Sequence, residues 1–377
     1  MTYQQTFQGM FGFYSRHRDI LKDYTFIVST NELENMDLYT DFKNINVIKD
    51  NIFTPFINSR VSIINDSIFQ RILSKGDSRA RVLKCVSFDT QTVSYIEEYF
   101  KKGTVSYKNF SGVIDVMNSS NIGMDYIPYA IENLLFGLKR KDSVMQSIYA
   151  FEMMCRENGR NEFVCRRKAQ SIVSLYENDK NDYHLFLKRY YQLVYVTLLK
   201  ICSIQLGHTK DSWDDKMNML VDFMSSKMHR MLHPELNLAK IYFNKGHTCG
   251  FFGGIYKKNS DVVKVVKNMA WDIFHLRMIN DGASYYTDES ADVLIPYFYT
   301  YDKRLNDIKL CYSIRALVVN DKTNEVFPFY YLDKDTVDSI KECSTFKKYL
   351  ERSSVEVDME ALIAECEYEI MFYSDNS

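Results

Sequence analysis

The chain has 377 residues, of which 46% are hydrophobic, and its net charge is −2 at pH 7. This length suggests two or three domains, or one domain with a large insertion, around a sizeable core. The near-neutral charge excludes a generally basic nucleic-acid-binding protein, so any contact with a nucleic acid depends on a local basic patch. The eight cysteines form no C-x-x-C pair. Their spacing argues against a zinc knuckle and against a disulfide framework, and it favours a reducing compartment.

Neither targeting nor membrane signals are evident in the sequence. Residues 1–24 lack the basic-then-apolar pattern of a signal peptide, and no uncharged apolar run is long enough to span a membrane. We therefore expect a soluble, cytoplasmic protein without a membrane partner.

The first eighty residues contain short strand-like and helical pieces without a functional motif. Residues 25–30 predict a strand. Residues 61–66 are interpreted as the start of a helix that continues through Leu73. We expect this segment to pack on the domain that follows.

A strand-to-helix junction at Asp89 is the most informative local pattern. Residues 81–88 are apolar and β-branched, which predicts a buried strand, and apolar residues at helical spacing follow Thr90. Asp89 or Thr90 would cap this helix by accepting a hydrogen bond from a free N–H of its first turn. Asp89 would also lie at the carboxyl end of a parallel strand, where ligands bind in open α/β sheets. The pattern leaves both roles open.

A second acid lies within a predicted helix over residues 125–138, in which Pro128 is tolerated in the first turn. Glu132 shares the apolar face of this helix, so its carboxylate needs a partner, a metal ion or a proton. The alternative is that Glu132 has a Lys or Arg partner or lies at the edge of the apolar face.

Lys139 and Arg140 directly follow this predicted helix. They either compensate a helix dipole or hold phosphates beside a nucleic-acid site.

Residues 142–245 show almost continuous helical patterns, and the glycines of residues 246–254 interrupt them without matching a phosphate-binding loop. We interpret residues 142–261 as a helical insertion. His229 and His233 stand four residues apart on a predicted helix, a spacing that metal pairs use. No acidic third ligand is placed nearby, so a structural role is favoured for both histidines.

Two more acids lie in the last third of the chain. Asp272 interrupts a strongly apolar predicted helix over residues 261–279, and a salt bridge or a contact with His275 is the alternative to a site role. Residues 291–302 predict a strand that ends in Thr-Tyr-Asp, with Asp302 as its last residue. Pro296 suggests an edge position or a bulge in this strand.

Asp89, Glu132, Asp272 and Asp302 thus form a set of acids at strand ends or on apolar helices. Oxygen-only ligand sets with open positions suit Mg²⁺ or Mn²⁺. Such ions activate a water molecule and stabilise the leaving oxygen in phosphodiester hydrolysis. We hypothesise that the four carboxylates converge on one pocket.

The segments around these acids resemble the acidic motifs of PIN-like domains. The similar segments are Ser87-Phe88-Asp89-Thr90, Pro128-Tyr129-Ala130-Ile131-Glu132-Asn133-Leu134-Leu135, Ala270-Trp271-Asp272 and Tyr299-Thr300-Tyr301-Asp302. The resemblance covers residues 81–140 and 262–320. It implies an α/β fold, a three-layer sandwich with a central, mostly parallel sheet, and a metal-dependent nuclease that acts most often on RNA. It also implies catalytic and metal-binding roles for Asp89, Glu132, Asp272 and Asp302.

The long interval between Glu132 and Asp272 departs from a minimal PIN-like domain and implies the helical insertion. We therefore predict a discontinuous domain formed by residues 1–141 and 262–377, interrupted by the insertion over residues 142–261. The second part would end in a hairpin, up to residue 331, and an acidic amphipathic helix over residues 355–372. The predicted substrate-binding residues are Thr90, Thr300, Lys139, Arg140, Lys303 and Arg304.

The predicted function is a metal-dependent endoribonuclease, a phosphodiester hydrolase that would act as a toxin or defence effector. Its partner would be RNA, with tRNA and mRNA as candidates and DNA left open. The helical insertion would bind a second copy of the chain or a regulatory partner. The alternative is a non-catalytic protein-interaction or nucleic-acid-binding module with a degenerate acidic site.

Overall fold

The structure, a computed structural model, describes residues 3–30, 38, 51–58, 60–105, 110–118, 122–155, 161–177, 181–282, 284–285, 291–330 and 356–375. These residues form a mixed α/β protein with two β-sheets, which confirms the predicted α/β class. The chain divides into two compact units. The first contains Met1–Asp179, Leu276–Lys303 and Ser313–Phe329, and the second contains Lys180–His275, Arg304–Tyr312 and Tyr330–Ser377.

The strands belong to the first unit, apart from the last residue of the final strand. In chain order they are β1 (Tyr24–Thr30), β2 (Ile52–Phe53), β3 (Arg60–Ile64), β4 (Val82–Phe88), β5 (Gly123–Asp125), β6 (Ser284–Tyr285), β7 (Val293–Tyr299), β8 (Ile314–Asn320) and β9 (Val326–Tyr330).

The helices are distributed over both units. They are α1 (Tyr3–Arg16), α2 (Arg18–Leu21), α3 (Asp66–Lys75), α4 (Thr90–Lys102), α5 (Ser111–Met117), α6 (Ile127–Leu134), α7 (Lys141–Met154), α8 (Glu162–Glu177), α9 (Asp182–Gly207), α10 (Trp213–Phe223), α11 (His233–Lys245), α12 (Val262–Gly282) and α13 (Met359–Asp375). Four short 3₁₀ helices and the π-helix Met224–Met228 complete the described helical segments. No helix in the described ranges is long and apolar enough to cross a membrane.

One sheet has the strand order β2-β7-β4-β5, with β6 also paired to β7. Its central strand, β4, runs parallel to both β5 and β7. The short strands β2 and β6 pair antiparallel with β7. The chain continues from β4 to β5 on one side and returns with β7 on the other side, so the strand order reverses at β4. In open α/β sheets, ligands bind at the carboxyl ends of the strands beside such a reversal.

The pattern of β7 explains its central place in this sheet. Every residue of β7 except Leu294 is buried, as expected of a parallel strand that is covered on both faces. Pro296 lies between Leu294, which pairs with β6, and Phe298, which pairs with β2. The proline has no N–H to donate, and it lies between the segments of β7 that pair with the short strands β6 and β2.

The second sheet has the order β3-β1-β8-β9 and was not predicted. Strand β1 pairs antiparallel with β3 and β8. The predicted strand over residues 25–30 is confirmed, and β8 and β9 form the predicted hairpin, of which residue 331 lies outside the described residues. The helix predicted to start at residue 61 is wrong. The β-branched run of β3 is a strand, and α3 starts only after Asn65, whose side chain accepts a hydrogen bond from the Ile68 N–H.

The region predicted as an insertion, residues 142–261, is divided between the two units. Helices α7 and α8 belong to the first unit, where α7 packs against α4 and α8. The second unit contains α9, which packs along α13. Lys200 on α9 binds Glu369 on α13 at 2.8 Å, and Tyr195 donates a hydrogen bond to Glu367 at 2.6 Å.

Candidate active site at the ends of strands β4 and β7

Asp89 follows the last residue of β4 and starts α4. Its Oδ1 accepts a hydrogen bond from the Thr92 N–H at 2.6 Å, so the predicted helix cap is confirmed. The backbone N–H of Asp89 donates to the carbonyl oxygen of Tyr299, the last residue of β7, at 3.1 Å. Asp89 is half-buried and stands between the carboxyl ends of the two strands beside the reversal of strand order. The cap role and a site role are therefore compatible.

Thr300 connects Asp89 to Asp302. Its side chain is buried and forms a hydrogen bond with the carboxylate of Asp89. The Thr300 Oγ1 also accepts a hydrogen bond from the Asp302 N–H at 3.0 Å. The hydroxyl that was predicted to bind substrate thus contacts the carboxylate of Asp89 and the backbone N–H of Asp302, and it orients the loop that carries Asp302.

Glu132 reaches the same region from α6. The Thr90 hydroxyl donates a hydrogen bond to its Oε2 at 2.5 Å. Buried residues of α6, among them Tyr129 and Leu134, seat this helix, and Pro128 lies in its first turn as predicted. The partner of Glu132 in this contact is a neutral hydroxyl, so the carboxylate keeps its need for a positive charge or a proton.

The electrostatics of these acids support a shared location. Burial raises the pKa of Asp89, the hydrogen bonds from Thr300 and Thr92 lower it, and the charge of Asp302 raises it again. Burial also raises the pKa of Glu132, as does the charge of Asp89, while the Thr90 hydrogen bond lowers it. Asp89, Glu132 and Asp302 are therefore close enough for their charges to interact, and a bound cation would relieve the repulsion.

The fourth predicted acid, Asp272, lies in α12 and belongs to the second unit, whereas the other three belong to the first. The participation of Asp272 in the site stays a prediction. Of the predicted phosphate-binding residues, Lys139, Arg140 and Lys303 are exposed in the first unit. Arg140 lowers the pKa of Glu132, so one of these basic groups acts directly on the acids.

The exposed Arg304 is the first residue of a segment of the second unit. Its role as a phosphate-binding residue also stays a prediction.

The histidine pair is not a helical metal motif. The π-helix Met224–Met228 ends at His229, which adopts the left-handed conformation with φ of 49°, and α11 begins only at His233. The prediction that both histidines lie on one helix is therefore wrong, because a left-handed residue terminates a helix. Across the described residues as a whole, no group of three or more His, Cys, Asp and Glu side chains is arranged to hold a metal ion.

A further strand-end acid, Asp125, lies at the start of the segment predicted as a helix over residues 125–138. Asp125, the last residue of β5, accepts hydrogen bonds from the Ser87 hydroxyl at 2.8 Å and from the Cys85 thiol at 3.3 Å. Burial raises its pKa. The signal that could have found it is its place at the end of a strand, the same feature that singled out Asp89.

Comparison with protein-family models, curated proteins and solved structures gave no significant match. Any functional proposal for this site therefore depends on its residues and their geometry.

The contact between Thr90 and Glu132 gives a first prediction. Thr90→Val removes the hydroxyl that lowers the pKa of Glu132, so this pKa should rise. We expect the titration of the Glu132 carboxyl, followed by NMR, to shift to higher pH. Thr90→Ser, which keeps the hydroxyl, should restore the wild-type titration. An unshifted titration in Thr90→Val would contradict this positioning role.

Proposed function

We propose that the chain is a metal-dependent nuclease that hydrolyses phosphodiester bonds in RNA. The main observation behind this proposal is that the charge of Asp89 interacts with those of Glu132 and Asp302 beside the reversal of strand order. The three acids come from two strand ends and one helix. The resemblance of the surrounding segments to PIN-like domains supports the same reaction class, and we propose the three-layer sandwich that this family implies.

The donor set fits a hard divalent cation. Carboxylates are preferred ligands of Mg²⁺ and Mn²⁺, and two of these carboxyl groups have raised pKa values that a cation would lower. Mg²⁺ commonly keeps several waters and is bound through one or two carboxylates and substrate phosphates. A ready-made group of three protein ligands is therefore not required. Asp89 and Asp302 are the proposed ligands, with Glu132 beside them. When bound, the ion would activate a water molecule and stabilise the leaving oxygen.

The neighbouring residues have separate tasks in this proposal. Thr300 and the Thr92 N–H hold the carboxylate of Asp89, so that it needs no reorganisation when a substrate arrives. Lys139 and Lys303 are exposed next to α6 and β7, respectively. They would bind phosphates, which positions a nucleic acid without reading its sequence.

The proposed function is tested by measuring whether RNA cleavage requires a divalent metal ion. We expect the full chain to cleave a mixture of single-stranded and structured RNA in Mg²⁺ or Mn²⁺, and to lose this activity in EDTA because the carboxylates alone do not activate water. Readdition of Mn²⁺ should restore it. Cleavage that persists in EDTA would contradict the metal mechanism. RNA binding without cleavage in any of these ions would favour a non-catalytic binding module.

A further inference from the structure

Asn51 is a buried side chain beside the acidic site, and the sequence patterns gave it no role. It directly precedes β2, and its carbonyl oxygen accepts a hydrogen bond from the Thr300 N–H at 3.0 Å. The register of β2 on β7 pairs Ile52 with Tyr299, so Asn51 stands opposite Thr300 across the ladder. Thr300 is the residue whose hydroxyl joins Asp89 to Asp302. The asparagine therefore lies next to the connection between two of the acids.

The carboxamide of Asn51 is unpaired in the described part of the chain. The residue is 1% exposed, and neither its Oδ1 nor its Nδ2 has a hydrogen-bond partner there. Buried polar groups are nearly always paired, because an unpaired group loses its hydration without compensation. Such exceptions are expected at functional sites, where a ligand supplies the missing partner.

We propose that Asn51 is a further ligand-binding residue of this site, and that its carboxamide holds the hydrated divalent cation. This inference rests on the proposed metal-dependent function. A carboxamide offers one acceptor oxygen and two N–H donors. The oxygen can accept from a water of the hydrated ion, and the amide nitrogen can donate to a phosphate oxygen. A lysine or a carboxylate could satisfy only one of these two groups, which explains why a neutral amide suits the position.

The test measures binding of Mn²⁺ to the full chain by calorimetry, without a requirement for cleavage. Asn51→Leu removes both polar atoms at nearly constant volume. We expect it to weaken Mn²⁺ binding about 10- to 100-fold, as changes beside metal ligands do. Its Tm in EDTA should equal or exceed that of the wild type, because two unpaired buried atoms are removed. Mn²⁺ affinity equal to that of the wild type would overturn the proposal.

The matched control is Ser62→Ala. Ser62 lies in β3 of the other sheet, is fully buried, and has an unpaired hydroxyl in the described part of the chain. Its removal should also leave the Tm in EDTA unchanged or higher, but Mn²⁺ affinity should stay that of the wild type. A loss of Mn²⁺ affinity in Ser62→Ala equal to that in Asn51→Leu would overturn a specific role for Asn51.

Asn51→Asp keeps the test decisive if Asn51→Leu does not fold. It retains an acceptor oxygen and adds a charge, so Mn²⁺ affinity should match or exceed that of the wild type, and a 10-fold loss would overturn the proposal. If the wild type binds Mn²⁺ but cleaves no RNA, the nuclease function fails while the role of Asn51 is still decided by these affinities. A wild type that binds no Mn²⁺ overturns both.

Discussion

Asp89→Asn is expected to abolish metal-dependent RNA cleavage and to leave the fold intact. The amide is nearly isosteric, and its oxygen can still accept the Thr92 N–H hydrogen bond that caps α4, since asparagine is as good a cap as aspartate. A neutral amide is, however, a poor ligand for a hard dication. The loss of kcat should exceed the roughly 100-fold effect of changes beside metal ligands. Cleavage kinetics in saturating Mn²⁺ measure it.

The same substitution should raise the free energy of unfolding in EDTA at neutral pH. Burial raises the pKa of Asp89 in the folded chain, so ionisation opposes folding above the ordinary carboxyl pKa. Asparagine carries no charge, so this unfavourable ionisation is absent from the variant. The increase in the free energy of unfolding should therefore be present at pH 7 and shrink as the pH falls toward 4, where the wild-type carboxyl takes up its proton. Urea titrations at several pH values would show this dependence.

Asn65→Ala is the control for both measurements. Asn65 caps α3 as Asp89 caps α4, through an acceptor bond from the Ile68 N–H at 2.9 Å. Its loss should cost about 1 kcal/mol of stability and leave kcat unchanged, because α3 carries none of the acids. If Asp89→Asn retains wild-type cleavage, Asp89 is a cap and nothing more.

The largest effect on stability is expected at Asp292, which holds the start of β7. Its side chain is 1% exposed and accepts hydrogen bonds from Arg71 Nη2 at 2.8 Å and Arg81 Nη2 at 2.9 Å. The backbone N–H of Arg81 also donates to it at 2.8 Å. Asp292→Ala leaves these donors without their acceptor. We expect a loss of about 3 kcal/mol, the lower end for a broken buried ion pair, since both arginines keep access to water.

The pH dependence of this loss can be stated from the pKa of Asp292. Burial acts to raise it, but the hydrogen bonds from Arg71 and Arg81 hold it at about 2, below its ordinary value of 3.8. A depressed carboxyl pKa stabilises the folded chain fully above the ordinary value and loses this contribution as the pH falls toward 2. The difference between the wild type and Asp292→Ala should therefore narrow below pH 4.

Asp77→Asn tests an exposed ion pair for comparison with the buried pair at Asp292. Asp77 also has a pKa lowered to about 2, by hydrogen bonds from Arg79, but that arginine is 89% exposed. Solvent screens an exposed ion pair, so the unfolding midpoint in urea should hardly change. Equal effects of Asp77→Asn and Asp292→Ala would show that burial does not set the strength of these pairs.

The parts of the fold that depend on neighbouring residues could be predicted from the sequence. Strand β4 and the cap at Asp89 follow from an apolar run and from a hydrogen bond three residues along the chain. The first turn of α6, with Pro128, is equally local. The run in β3 was misinterpreted because a short apolar segment fits both a strand and a helix until its partners are known. Its partner here is β1, which no local pattern identifies.

The site could be predicted only in outline for the same reason. The acids at strand ends were recognisable, but the hydroxyl that binds Glu132 comes from Thr90, 42 residues away in sequence. The unpaired amide of Asn51 has no sequence signature, since its position opposite Thr300 depends on the register of a two-residue strand. The conformation of His229 likewise depends on the π-helix before it rather than on the four-residue spacing to His233.

The pairing of β1 with β8 and of β4 with β7 has a consequence for biosynthesis. At about 5–20 residues per second, residues near 320 leave the ribosome roughly 15–60 s after those of β1. Until then each sheet lacks one of its central strands, β8 or β7, and the nascent chain exposes the apolar edges of β1 and β4. Asp302 is also absent from the emerging polypeptide during most of this interval, so the proposed acidic centre assembles only after residue 302 has been synthesised. Cleavage by the proposed nuclease would be withheld until then.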